Sequence, residues 1–147
     1  MTTDIESTQS AIVDEFRQFT DWEDRYGHII RLGRDHGDID ESLKVEKFRV
    51  KGCQSTVYLV PQFKDGVVHF EAASDAMIVN GLIAILMKVY SGRTPQEIVE
   101  TPPAFIAELG LTENLTMGRQ NGLKAMIEQI KLYGMAFQAM NKTGQDS

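Results

Sequence analysis

Apolar positions along the chain follow two periods. Ile5, Ile12, Val13, Phe16 and Phe19 recur near helical spacing, and Trp22, Tyr26, Ile29 and Ile30 repeat at i, i+4, i+7 and i+8. Two N-terminal helices are predicted, the second capped by Asp21 and stopped by Gly37 beyond it. A polar loop then runs to about Phe48. From Thr56 to Phe63 (TVYLVPQF) and from Val67 to Ala73 (VVHFEAA) the residues are β-branched and aromatic, and Asp65-Gly66 between them is a hairpin signal, because the tight turn needs positive φ values. Pro61 has no N–H to donate, which puts the first strand at an edge or a bulge. The sheet has room for a further strand around Lys47 to Lys51.

Helical patterning returns at Ala76 to Tyr90, apolar on nearly every side and therefore expected at the centre of the core, with Ser74 and Asp75 offering its cap. Thr94-Pro95-Gln96-Glu97 joins a capping box to a proline at the first helical position, which predicts a short helix through about Glu100. Pro102 and Pro103 break the chain before a short helix from Ala104 to Leu109 that Gly110 ends. Leu123, Met126, Ile127, Ile130, Gly134 and Phe137 mark one face of a long C-terminal helix starting near Thr116. Helices, a hairpin sheet and further helices make an α+β fold, expected as a single domain over residues 1–140 with a disordered tail over 141–147. Met77, Met87, Met126, Met135 and Met140 all fall in predicted helices and are expected in the core.

At 147 residues, 42% hydrophobic and 24% charged, the chain can bury a core without disulfides or metals. Its net charge of −6 argues against nucleic acid, which needs clustered Lys and Arg. No apolar run reaches the roughly 20 residues of a membrane span, and the polar, acidic N-terminus lacks an export signal; a cytoplasmic location is expected. Residues 1–46 hold twelve acids against five bases, whereas Lys47, Arg49 and Lys51 form a basic run that leads into Cys53.

Cys53 is the only cysteine, so it has no internal disulfide partner and no multi-thiolate metal site to join. It stands in Lys51-Gly52-Cys53-Gln54-Ser55 at a loop-strand junction. Gly52 lets the backbone bend sharply beside the sulfur, and Gln54 and Ser55 offer donors to a sulfur anion. The basic run is positioned to lower the thiol pKa from about 8.5, provided the segment is extended. Against this stands the plain alternative of a buried, inert cysteine. His28, His36 and His69 are scattered without metal-ligand spacing, and His69 is the candidate for a general base if Cys53 were a nucleophile.

Four blocks extend this reading. They are Asp21-Trp22-Glu23 with Tyr26 and Ile29 to Gly33; Val50 to Ser55 with Val57; Ser74-Asp75-Ala76 followed by Ile78-Val79 and Gly81 to Ala84; and Arg119 to Leu123 with Ala125 to Ile127. In order and spacing, over about residues 16 to 131, they resemble the SufE family, including its CsdE branch. The resemblance implies a SufE/IscU-like fold. It also implies a sulfur acceptor that takes persulfide sulfur on Cys53 from a cysteine desulfurase (SufS/CsdA-like), stimulates that enzyme, and passes sulfur to an iron-sulfur scaffold or another acceptor.

On this reading the chain is a desulfurase-activating accessory protein rather than a stand-alone enzyme. It binds no cofactor, the pyridoxal phosphate being the desulfurase's, and no metal. Gly52, Gln54, Asp75 and Arg119 are implied to shape the cysteine loop or the docking surface. Two other classes remain: a binding or regulatory domain with a structural cysteine, and a free-standing cysteine hydrolase.

Overall fold

In the computed structural model the described residues are 4–142. Helices α1 (Ile5–Arg17) and α2 (Trp22–His36) open the chain, and the Asp21 side chain accepts from Asp24 N–H as the cap of α2. Single 3₁₀ turns at Glu41–Leu43 and Glu46–Phe48 interrupt the following loop. The strand allowed for around residues 47–51 does not form. In that segment Arg49 alone makes an isolated bridge, to Tyr58, because the preceding 3₁₀ turn consumes the backbone that a strand would extend.

Strands β1 (Val57–Lys64) and β2 (Val67–Ser74) pair antiparallel in an unbroken register, Val57 opposite Ser74 and Lys64 opposite Val67. Asp65 (φ 55°) and Gly66 (φ 83°) form the two-residue turn, both in the left-handed region that suits the strand twist. Pro61 pairs with Phe70 without a bulge. The Phe70 N–H donates to Ser91 Oγ at 2.8 Å, on the far side of β2, so the ladder asks no hydrogen bond of Pro61.

The inner face of the hairpin, including Val57, Leu59, Val68, Phe70 and Ala72, is buried against helix α3 (Met77–Tyr90) and the last helix, α7 (Met117–Lys142). Phe63 stacks on Phe137 of α7 with ring centres 5.0 Å apart. Between α3 and α7 come α4 (Pro95–Glu100), with its capping box, then α5 (Phe105–Glu108) and α6 (Leu111–Asn114). The sequence pattern missed α6: Gly110 ends α5 in the left-handed conformation, but the chain turns straight into another helical turn. The tail expected from residue 141 is still helical through Lys142, and 143–147 lie outside the described residues.

Helix α3 is the centre of the core, with Ile78 to Leu86, Val89 and Tyr90 buried. Its cap differs from expectation. Ala76 occupies the cap position without a side-chain bond, and Ser74 Oγ instead accepts from Ala76 N–H at 3.2 Å, ahead of the first turn. Order at this corner comes from buried Asn80. Its Nδ2 donates to the Gly33 and Gly37 carbonyls at 2.8 and 2.9 Å, and its Oδ1 accepts from Ser74 N–H at 2.9 Å. One amide thus joins the end of α2, the end of β2 and the start of α3.

The methionines divide. Met126 is buried and Met87 half-buried, whereas Met77, Met135 and Met140 are exposed, because helical spacing alone does not say which face meets the core.

Helices α2 and α3 cross where glycine faces glycine. A Cβ on Gly81 would lie 2.0 Å from the Ile29 carbonyl oxygen, and one on Gly33 2.6 Å from the Gly81 nitrogen. Backbone cannot rotate aside as a side chain can, so Gly81→Ala must push the helices apart. It is expected to lower the unfolding free energy by about 1–3 kcal/mol or more, measured by urea denaturation. Gly118→Ala, where the obstructing atom is the end of the Gln54 side chain, should cost far less.

Candidate functional site: a cysteine seated on a helix

Val50 and Val57 close the base of the cysteine loop. The Val50 side chain is buried, and its N–H donates to the Val57 carbonyl at 2.9 Å, beside the Arg49–Tyr58 bridge. Beyond this clamp the chain turns at Gly52 (φ 90°), a conformation that disfavours any residue with a Cβ. That turn points Cys53 down onto α7. Its Sγ donates to the Gly122 carbonyl at 3.6 Å, and a Cβ built on Gly122 would sit 3.7 Å from the sulfur. One turn earlier on α7, the Gln54 amide lies so close over Gly118 that a Cβ there would be 2.2 Å from Oε1. The two glycines, four residues apart, let the loop rest directly on helix backbone.

Beside the sulfur is a cavity of about 240 Å³, walled by Val79 and Leu82 of α3 and by Leu123 and Met126 of α7, with Thr116 and Arg119 also in its lining. Cys53 is half-buried there, and burial pushes its thiol pKa above the ordinary value. The expected help from the basic run is not delivered. Lys51 is paired with Glu46, Lys47 lies 5.0 Å from the Phe48 ring centre, and the loop is turned rather than extended, so neither lysine is directed at the sulfur. Gln54 and Ser55 likewise give the sulfur no hydrogen bond among the described residues; the Gln54 amide is engaged over Gly118.

Gly52, Gln54 and Arg119 therefore belong to one site with Cys53. Asp75 does not. It is exposed and lines a separate depression with Asp38, Lys44, Thr56 and Tyr58. Among the described residues no histidine lines the cysteine cavity: His28 pairs with Glu15, His36 bonds the Ala72 carbonyl at 2.7 Å, and His69 is exposed on β2. Gly118 went unread in the sequence, and Gly122 was read only as part of a block. The available signal was two glycines one turn apart in a predicted helix, where glycine is unfavourable unless something packs closely on it.

The SufE family, described as an Fe-S metabolism associated domain, matches residues 10–134, which include the whole cysteine loop and the seat on α7. The chain belongs to the SufE family. It is 38% identical over 125 residues to an uncharacterized SufE-like protein of Rhizobium meliloti, covering 82% of this chain and 89% of that protein. A SufE-like protein of Synechocystis, also uncharacterized, is 36% identical over 134 residues, covering 91% of this chain and 84% of the other. The solution structure of a hypothetical protein from Thermus thermophilus superposes with a TM-score of 0.71 at 21% identity, over 88% of this chain and 94% of that one, which establishes the fold.

SufE membership carries the general role of a sulfur carrier in Fe–S metabolism. No helix among the described residues is long and apolar enough to cross a membrane, and no group of three or more acidic, histidine or cysteine side chains there could hold a metal.

A raised thiol pKa makes the resting protein slow to alkylate. Thiolate is the reactive form, so at neutral pH little of Cys53 should be available. The rate of iodoacetamide modification followed by intact mass should rise with pH and inflect above the ordinary thiol value. An inflection below that value would contradict the sheltered seat.

Proposed function

We propose that Cys53 accepts sulfur from the persulfide of a pyridoxal-phosphate-dependent cysteine desulfurase, that this acceptance stimulates the desulfurase, and that the sulfur is handed on for iron-sulfur cluster assembly. The observation that carries the reading is the seat itself. In a SufE chain the only cysteine lies on a short, clamped loop, its sulfur at the edge of a cavity larger than one sulfur atom needs.

The transfer balances without an outside oxidant. The Cys53 proton leaves to solvent, and the thiolate attacks the terminal sulfur of the donor persulfide. A new S–S bond forms at Cys53 Sγ as the donor's S–S bond breaks, and the donor cysteine departs as thiolate. Sulfane sulfur changes hands with no net redox change. The rate then depends on thiolate fraction and access, both low in the resting seat.

Apolar walls formed by Val79, Leu82, Leu123 and Met126 suit the product, because an exposed persulfide is open to reduction and oxidation. Attack in the resting geometry is slow, since Sγ is half-buried with its proton on the Gly122 carbonyl. Partner docking must therefore lift residues 51–56 from α7 while the Val50–Val57 clamp holds the base of the loop. A cysteine hydrolase is disfavoured by the lining, which among the described residues has neither a histidine nor a carboxylate to serve as base.

The test is incubation with a SufS/CsdA-like desulfurase, pyridoxal phosphate and cysteine. Wild type should gain the mass of one sulfur atom, removable by thiol reductant, and should raise desulfurase turnover; Cys53→Ser should do neither. An unmodified wild type, or full stimulation by Cys53→Ser, would remove the proposal.

A further inference from the structure

Among the described residues, Arg119 is the one charged side chain lining the Cys53 cavity. It stands on α7 three residues before Gly122, whose carbonyl receives the thiol, and residues at that spacing are neighbours on a helix surface. An arginine so placed would be expected to hold a thiolate. Instead its guanidinium carbon lies 5.9 Å from the centre of the Tyr26 ring on α2, within cation–π range. Tyr26 is itself braced edge-on by Trp22, ring centres 6.1 Å apart.

We propose that Tyr26 is a positioning residue: its ring parks Arg119 away from Cys53, and release from that ring delivers the guanidinium as counter-charge to the Cys53 thiolate. The proposal rests on Cys53 being the sulfur acceptor. No bond is made or broken in the switch; the Cys53 proton goes to solvent and the guanidinium stays charged throughout.

Two features make Arg119 suitable for release. As the third residue of α7 it is a cation at a helix N-terminus, where the helix dipole opposes it, so the helix itself does not anchor the charge. It also makes no ion pair with a carboxylate among the described residues, and the ring contact can be exchanged for a full negative charge without breaking one.

The other charged groups around the loop are committed elsewhere. Lys51 pairs with Glu46 and Lys47 sits over Phe48, while Arg49 is exposed outside the cavity lining. Helix α3 presents only Val79 and Leu82 to the cavity. From α2, Arg25 is held by the Phe19 and Leu109 carbonyls at 2.9 and 3.0 Å. Consistent with a parked arginine, burial pushes the resting thiol upward.

Alkylation of Cys53 as a function of pH tests the idea without any desulfurase. Tyr26→Leu should free Arg119 and lower the inflection by about one pH unit, speeding modification about tenfold below it, the effect of one nearby opposite charge. Tyr26→Phe keeps the ring and should reproduce wild type. Tyr26→Leu combined with Arg119→Gln should lose the gain, which separates a delivered charge from a merely loosened loop. Should Tyr26→Leu fail to fold, Tyr26→Met provides the same ring-free comparison.

A leucine or methionine profile superimposable on wild type, or a gain that persists without Arg119, overturns the proposal. The outcomes are separable from those of the sulfur-transfer assay. A wild type that takes up no sulfur sinks the carrier role even if Tyr26 controls the thiol, and a carrier whose profile ignores Tyr26 sinks only the switch.

Discussion

A half-buried thiol favours the neutral S–H, and in this protein that proton points at the Gly122 carbonyl. The geometry of the site depends on this contact. It is possible because α7 offers backbone rather than side chains at Gly118 and Gly122, and because Gly52 bends the loop onto that surface. The helix is held at the right distance by the core behind it, where Gly134 packs on Ile98 and the Lys131 ammonium donates to the carbonyls of Ile98, Val99 and Thr101 at the end of α4. The same seat that shelters the sulfur also keeps it unreactive.

That opposition organises the proposed chemistry. Shelter favours a persulfide once formed, whereas attack on a donor requires thiolate and access. At rest neither is supplied inside the cavity, because its walls are aliphatic on α3 and the one charged residue in its described lining is turned toward Tyr26. A loop closed at its base by Val50 and Val57 can move as a short unit without disturbing β1, so access to the sulfur depends on the contact between loop and helix.

Much of the fold was legible because local signals agreed with tertiary demands. Asp65-Gly66, the Thr94 capping box and the helical periods of α1, α2, α3 and α7 each require one conformation, and each formed. The failures share a cause. Charge near Cys53 in sequence was read as charge near the sulfur in space, but Gly52 turns the chain and leaves Lys51 to Glu46. Asp75, implied to shape the cysteine loop or the docking surface, is exposed and lines a depression separate from the cysteine cavity. Gly118 was passed over because a glycine's role lies in what approaches it, which a single sequence does not display. Tyr26 was noted as one position in a helical repeat, although its ring faces Arg119 from another helix.

The central claim is that residues 51–56 are closed on α7 at rest and opened by the partner. Amide hydrogen exchange over this segment, measured on the protein alone and with saturating desulfurase, tests it most directly. The account predicts that exchange at residues 51–56 speeds up in the complex while Val57 and the rest of β1 stay protected. Exchange at 51–56 that is unchanged or slower on docking would contradict it.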